Sequence, residues 1–105
     1  MTNESRTNQT DASGDRRKVA VFLDRDGTII EDRGHLSDPS QVVLFPETFD
    51  ALAELQEHFL LFLITNQPGI AKGLITRSDA ERINDFVVHT LSERGIRITE
   101  VYMCP

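Results

Sequence analysis

The chain has 105 residues, 39% of them hydrophobic and 27% charged, a make-up that fits one globular domain or part of one and excludes a collagen-like or wholly disordered polypeptide. Eleven Lys and Arg against seventeen Asp and Glu give a formal charge of -6, which argues against nucleic acid as a partner, since a phosphate backbone attracts cationic surfaces. The single cysteine, Cys104, closes no internal disulfide, the start lacks a basic-then-apolar leader, and the longest mainly apolar run, Phe59 to Ile64, falls far below the ~20 residues that span a bilayer. The expectation is a cytoplasmic chain with no membrane role.

Met1 to Arg17 holds only Met1 and Ala12 as apolar residues, too few to offset the entropy of ordering, so residues 1–17 read as a disordered tail before a folded part at 18–105. Lys18 to Leu23 is β-branched and apolar and stops at Asp24, as a buried parallel strand does. A polar stretch runs from Asp24 to Gln41, and Pro46 then opens a helix, with Phe49, Leu52 and Ala53 on its apolar face, that extends to about His58. Phe59 to Ile64 reads as a second buried strand, closed by a turn at Thr65 to Gly69. Thr76 or Ser78 caps the next helix, Ser78 to Glu81 has the form of a capping box, and Ile83, Phe86, Val87, Thr90 and Leu91 follow helical spacing up to Gly95. Ile96 to Met103 forms a third strand. Alternating strands and helices predict an α/β fold with a parallel sheet and flanking helices, whose ligands bind at the carboxyl ends of the strands.

Those ends carry Asp24-Arg25-Asp26-Gly27-Thr28 and Thr65-Asn66-Gln67. Two carboxylates two residues apart suit a hard divalent cation such as Mg2+, which takes one or two protein carboxylates and fills its shell with water and phosphate. One of the pair can then attack phosphorus while the other moves a proton. A polar turn after a strand accounts for the pentapeptide equally well.

Phe22 to Ile29 resembles the first motif of haloacid dehalogenase-like phosphohydrolases, and Thr65-Asn66 resembles their second. The longer string Leu63 to Gly73 is similar to the histidinol phosphatase and heptose bisphosphate phosphatase subgroup. The resemblance, over roughly Val19 to Pro105, implies a Rossmann-like haloacid dehalogenase fold whose C-terminal half is missing. It implies Asp24 as nucleophile and Asp26 as general acid and base, both at Mg2+, with Thr65 holding the phosphoryl group. It further implies substrate contacts from Asp32, Arg33, Gly34 and His35 and from Thr65, Asn66, Gln67 and Pro68.

The amides of Asn66 and Gln67 suit sugar hydroxyls. Lys72 is either a cation near phosphate or an exposed loop lysine, Arg25 can point either way, and His58 and His89 read as surface residues. Tyr102 to Pro105 resembles the start of a Cys-Pro-x-His zinc loop, so Cys104 is either a Zn2+ ligand of a complete version or an ordinary strand-end residue, since one cysteine makes no four-ligand site. The implied function is hydrolysis of a small phosphorylated sugar, a heptose bisphosphate first and histidinol phosphate second. A nucleic acid 3′-phosphatase, a non-catalytic phosphate-accepting module and an inactive truncated remnant are the alternatives. The expected half-sheet leaves edges and apolar surface uncovered, which predicts self-association.

Overall fold

The computed structural model describes residues 18–105, and the tail expected at 1–17 lies outside them. Strand β1 (Val19–Asp24) is followed by helix α1 (Pro46–Leu55), strand β2 (Phe59–Asn66), the short helix α2 (Pro68–Ala71), helix α3 (Arg77–Ser92) and strand β3 (Ile98–Cys104), with a 3-10 turn at Pro39–Gln41. The strands make one parallel sheet in the order β1-β2-β3. Two right-handed crossovers stepping in the same direction put α1 and α3 on the same face of such a sheet. Leu61 and Leu63 of β2 and Ile98 of β3 accordingly cluster with Leu52 of α1 and Ile83, Val87 and Leu91 of α3. Each fully buried aliphatic side chain of this kind contributes about 1.5–3 kcal/mol.

The opposite face differs from the expectation of strands buried on both sides. Phe22, Phe62 and Tyr102 stack across all three strands, with ring centroids 4.9 Å apart for Phe22–Phe62 and 6.1 Å for Phe62–Tyr102. Phe22 and Tyr102 are each 48% exposed, because both described crossover helices lie behind the sheet. An apolar run in the sequence reports the composition of both faces of a strand and not whether each face is covered.

The stretch after β1 is more ordered than its polarity suggests. The amides of Ile29 and Ile30 donate to the Arg25 carbonyl, Gly27 turns with φ 82°, and Ile29, Ile30 and Leu36 enter the core. Asp38 accepts from the Ser40 amide and Gln41 reaches back to the Asp38 amide, a capping box that sets the 3-10 turn. Pro46 starts α1, where the lack of an N–H costs nothing, and the Thr48 hydroxyl ties the helix to the Ile29 carbonyl. The helix ends at Leu55, ahead of the expected His58. Gln56 caps it, its backbone N–H still on the Leu52 carbonyl and its side chain bonded to the Gly95 carbonyl and the Arg97 amide.

At the start of α3 the cap is Thr76, which accepts from the Asp79 amide, so the expected Ser78 capping box does not form. At its end Ile96 N–H bonds the Leu91 carbonyl and Gly95 N–H that of Ser92, with Gly95 at φ 79°. This is a Schellman closure that accounts for the glycine.

Candidate active site at the strand ends

The register pairs Asp24 with Ile64 and the Arg25 amide donates to the Ile64 carbonyl, so the ends of β1 and β2 stand side by side and the expected rim forms. Alternation along the strand then separates three neighbours. Asp24 is exposed, Arg25 is buried at 2% exposure, and Asp26 is partly buried in the turn.

Asp26 is the best-held carboxylate. Its Oδ1 accepts from Arg25 Nε at 3.2 Å and Nη2 at 2.9 Å, and its Oδ2 accepts from Arg25 Nη2 and from the Thr65 hydroxyl, both at 3.2 Å. Thr65 Oγ1 in turn accepts from Gln67 Nε2 at 2.6 Å, and the Gln67 backbone N–H donates to the Cys104 carbonyl at the end of β3. A hydrogen-bonded line therefore crosses the three strand ends from Asp26 through Thr65 and Gln67 to β3. Among the described residues no side chain hydrogen-bonds the Asp24 carboxylate, which leaves it open to a ligand.

The sequence-expected contacts divide into two groups. Thr65 and Gln67 are buried, at 1% and 5% exposure. The single Thr65 proton is directed at Asp26 and the Gln67 side-chain Nε2 at Thr65, so the expected sugar-facing amide of Gln67 has its N–H donor turned to the strand end. Asn66, Pro68 and Lys72 are exposed, with Pro68 opening α2, an element where only a turn was expected, and Lys72 at its end.

Asp32, Arg33, Gly34 and His35 form an exposed turn in which Asp32 accepts from the Gly34 amide, and Gly34 has φ 78°. His35 brings this turn to the second segment: a Cβ on Gly69 of α2 would lie 2.7 Å from His35 Nδ1. Arg82 of α3 braces the same turn through the Ser37 carbonyl at 3.3 Å while pairing with Asp79 at 2.8 Å.

Sequence reading missed Asn84. It is buried on α3 between Ala80, Ile83, Val87 and Leu91, and its Oδ1 accepts from Arg25 Nη1 at 2.7 Å. The available signal was an amide standing in the apolar stripe of an amphipathic helix, where a polar group needs a partner. Cys104 is an exposed free thiol, and no group of three or more His, Cys, Asp or Glu side chains able to hold a metal forms among the described residues. For Mg2+ the donor set is nevertheless suitable, since this cation takes few protein ligands and Asp24 offers an unengaged carboxylate beside Asp26. No helix among the described residues is long and apolar enough to cross a membrane.

No family model matches the chain. It is 41% identical over 87 residues to the D-glycero-D-manno-heptose-1,7-bisphosphate 7-phosphatase of Chlorobaculum tepidum, covering 81% of this chain and 44% of that protein. It is 37% identical over 87 residues to the D-glycero-beta-D-manno-heptose-1,7-bisphosphate 7-phosphatase of Yersinia pestis, covering 82% and 46%. Among solved structures, the D,D-heptose 1,7-bisphosphate phosphatase of B. bronchiseptica complexed with magnesium and phosphate matches with a TM-score of 0.75 and 31% identity, over 85% of this chain and 50% of that one. The chain thus spans about half the length of the curated relatives it matches. Over that matched part, its homologues are haloacid dehalogenase-like D,D-heptose 1,7-bisphosphate phosphatases.

Proposed function

We propose that residues 18–105 are part of a Mg2+-dependent phosphomonoester hydrolase domain acting on a small sugar phosphate, with D-glycero-D-manno-heptose 1,7-bisphosphate as its first substrate. The observation that carries the reading is the contrast between the open carboxylate of Asp24 and the hydrogen-bonded carboxylate of Asp26 beside it. A nucleophile needs access to phosphorus, whereas a proton carrier needs a fixed position.

Asp24 attacks phosphorus, the bond from phosphorus to the sugar oxygen breaks, and Asp26 gives its proton to that oxygen. Asp26, now a carboxylate, takes a proton from the water that attacks phosphorus and cleaves the acyl phosphate, which releases inorganic phosphate and restores Asp24. Asp24 and Asp26 would hold Mg2+, which supplies charge neutralisation for the phosphate. Exposed Asn66, Pro68, Lys72 and the Asp32–His35 turn surround the sugar. A zinc role for Cys104 requires ligands beyond those near it among the described residues. A free, exposed thiol accords with a reducing, cytoplasmic setting.

Phosphoryl transfer depends chiefly on positioning and charge stabilisation. The guanidinium at this site, Arg25, is committed to Asp26 and Asn84, so the 105-residue chain alone is proposed to turn over slowly. The test is phosphate release from heptose bisphosphate and from histidinol phosphate, with Mg2+ and with chelator, by the wild type and Asp24→Asn. Mg2+-dependent release from the heptose substrate that is lost in Asp24→Asn supports the reading. Preference for histidinol phosphate moves the substrate, and release that survives Asp24→Asn overturns the nucleophile.

A further inference from the structure

A proton carrier in a turn has a problem that one on a strand does not. Its side chain is free to adopt several rotamers, and a displacement of about 1 Å at a reacting group can cost ~10²-fold in rate. Asp26 sits in such a turn, yet both of its oxygens are held. Three of its four hydrogen bonds come from its sequence neighbour Arg25.

Arg25 is itself fixed at its far end. Its Nη1 donates at 2.7 Å to Oδ1 of Asn84, 59 residues on in the sequence, and both side chains are buried, at 2% and 7% exposure. The planar guanidinium thus has each of its three nitrogens on an acceptor, Nε and Nη2 on Asp26 and Nη1 on Asn84. Rotation about its plane would break the contacts at both ends together. Asn84 is held in turn by the packing of α3, with Ile83, Val87 and Leu91 fully buried around it.

We propose that Arg25 is a positioning residue and Asn84 its anchor: through the Asn84–Arg25–Asp26 chain, α3 sets the orientation of the Asp26 carboxylate toward Thr65 and the reacting phosphate. This rests on the reading of Asp26 as the proton carrier. A purely structural role, in which Arg25 only balances buried charge, requires the cation but not an acceptor at position 84. Lysine also keeps the charge without the fork.

The experiment therefore compares Asn84→Leu, which keeps the approximate size and removes the acceptor, with Asn84→Asp, which keeps the acceptor, and with Arg25→Lys. kcat and KM for heptose bisphosphate are measured with Asp24→Asn as the control for the parent reading, and the Arg25 side-chain nitrogen signals are recorded by NMR in each protein. The expected result is a fall in kcat of ~10–100-fold in Asn84→Leu and Arg25→Lys, with KM nearly unchanged and Asn84→Asp close to wild type. The Arg25 signals are expected to show slow guanidinium rotation in the wild type and in Asn84→Asp, and fast rotation in Asn84→Leu.

Wild-type kcat in Asn84→Leu, or an equal loss in Asn84→Leu and Asn84→Asp, overturns the proposal. Turnover untouched by Asp24→Asn defeats the parent reading instead, and in that case, or where the chain shows no turnover, the NMR signals decide the clamp. Slow rotation in the wild type supports it, and freely averaging Arg25 signals overturn it even if Asn84→Leu does not fold.

Discussion

The Thr65 hydroxyl lies 3.2 Å from Asp26 Oδ2, joining the end of β2 to the turn after β1 across 39 residues of sequence. Because Thr65 Oγ1 also accepts from Nε2 of buried Gln67, Thr65 both locates the carboxylate and satisfies a buried amide.

Thr65→Val keeps the shape and removes both roles. It leaves the Gln67 amide without its acceptor, and the expected loss of folding stability is about 1–3 kcal/mol. Thr65→Ser retains the hydroxyl and is expected to recover most of it. Urea unfolding midpoints of the three proteins check this.

Gly69 of α2 and His35 of the turn at residues 32–35 lie against each other. A methyl group on Gly69 meets His35 Nδ1 at 2.7 Å, so Gly69→Ala is expected to push the imidazole aside, raising KM more than it lowers stability. With His35→Ala the added methyl has room. A double-mutant cycle on substrate affinity should therefore show coupling of roughly 0.5–3 kcal/mol, and additive effects would contradict the contact.

The uncovered face of the sheet, with Phe22 and Tyr102 each 48% exposed around Phe62, is expected to drive concentration-dependent association of the 105-residue chain. Phe22→Lys with Tyr102→Lys places charges on that face without entering the core and should return the chain to a monomer. Sedimentation velocity over a concentration series reads both outcomes.

Acid should loosen the supports of the site before its core. The Ser40 backbone N–H holds Asp38 below its ordinary value of 3.8, and the Arg82 guanidinium does the same for Asp79. Carboxylates lowered on folding add stability that is present above that ordinary value and is lost as pH falls through the lower folded one. The amide signals of Ser40 and of the first turn of α3 are expected to shift below about pH 4. Asp38→Asn and Asp79→Asn should each remove the local part of that dependence.

Much of this arrangement was legible in the residue order. The apolar runs that stop at Asp24 and Thr65, together with the α3 periodicity, define the parallel sheet and the rim where the two motifs meet. Other features depend on tertiary partners that a linear pattern does not contain. The side chain of Arg25 turns inward because strand alternation and an acceptor on α3 draw it there, and Asn84 is 59 residues away. Gln67 looks like a solvent-facing loop amide until its backbone N–H is tied to the Cys104 carbonyl at the β3 end and its side chain turns to the Thr65 hydroxyl. Thr76 takes the α3 cap ahead of Ser78 because the helix begins at Arg77, which places Ser78 inside the first turn. Helix α2 has four residues, too few for any periodicity to appear.

The central claim is that Asp24 carries the phosphoryl group. The most direct measurement is to incubate the chain with Mg2+ and heptose bisphosphate, quench it, and locate the acyl phosphate by borohydride reduction and peptide mass spectrometry. The account predicts modification at Asp24 alone, absent from Asp24→Asn and accumulating when Asp26 is replaced by Asn. Modification at another residue, or phosphate release by Asp24→Asn at the wild-type rate, would contradict it.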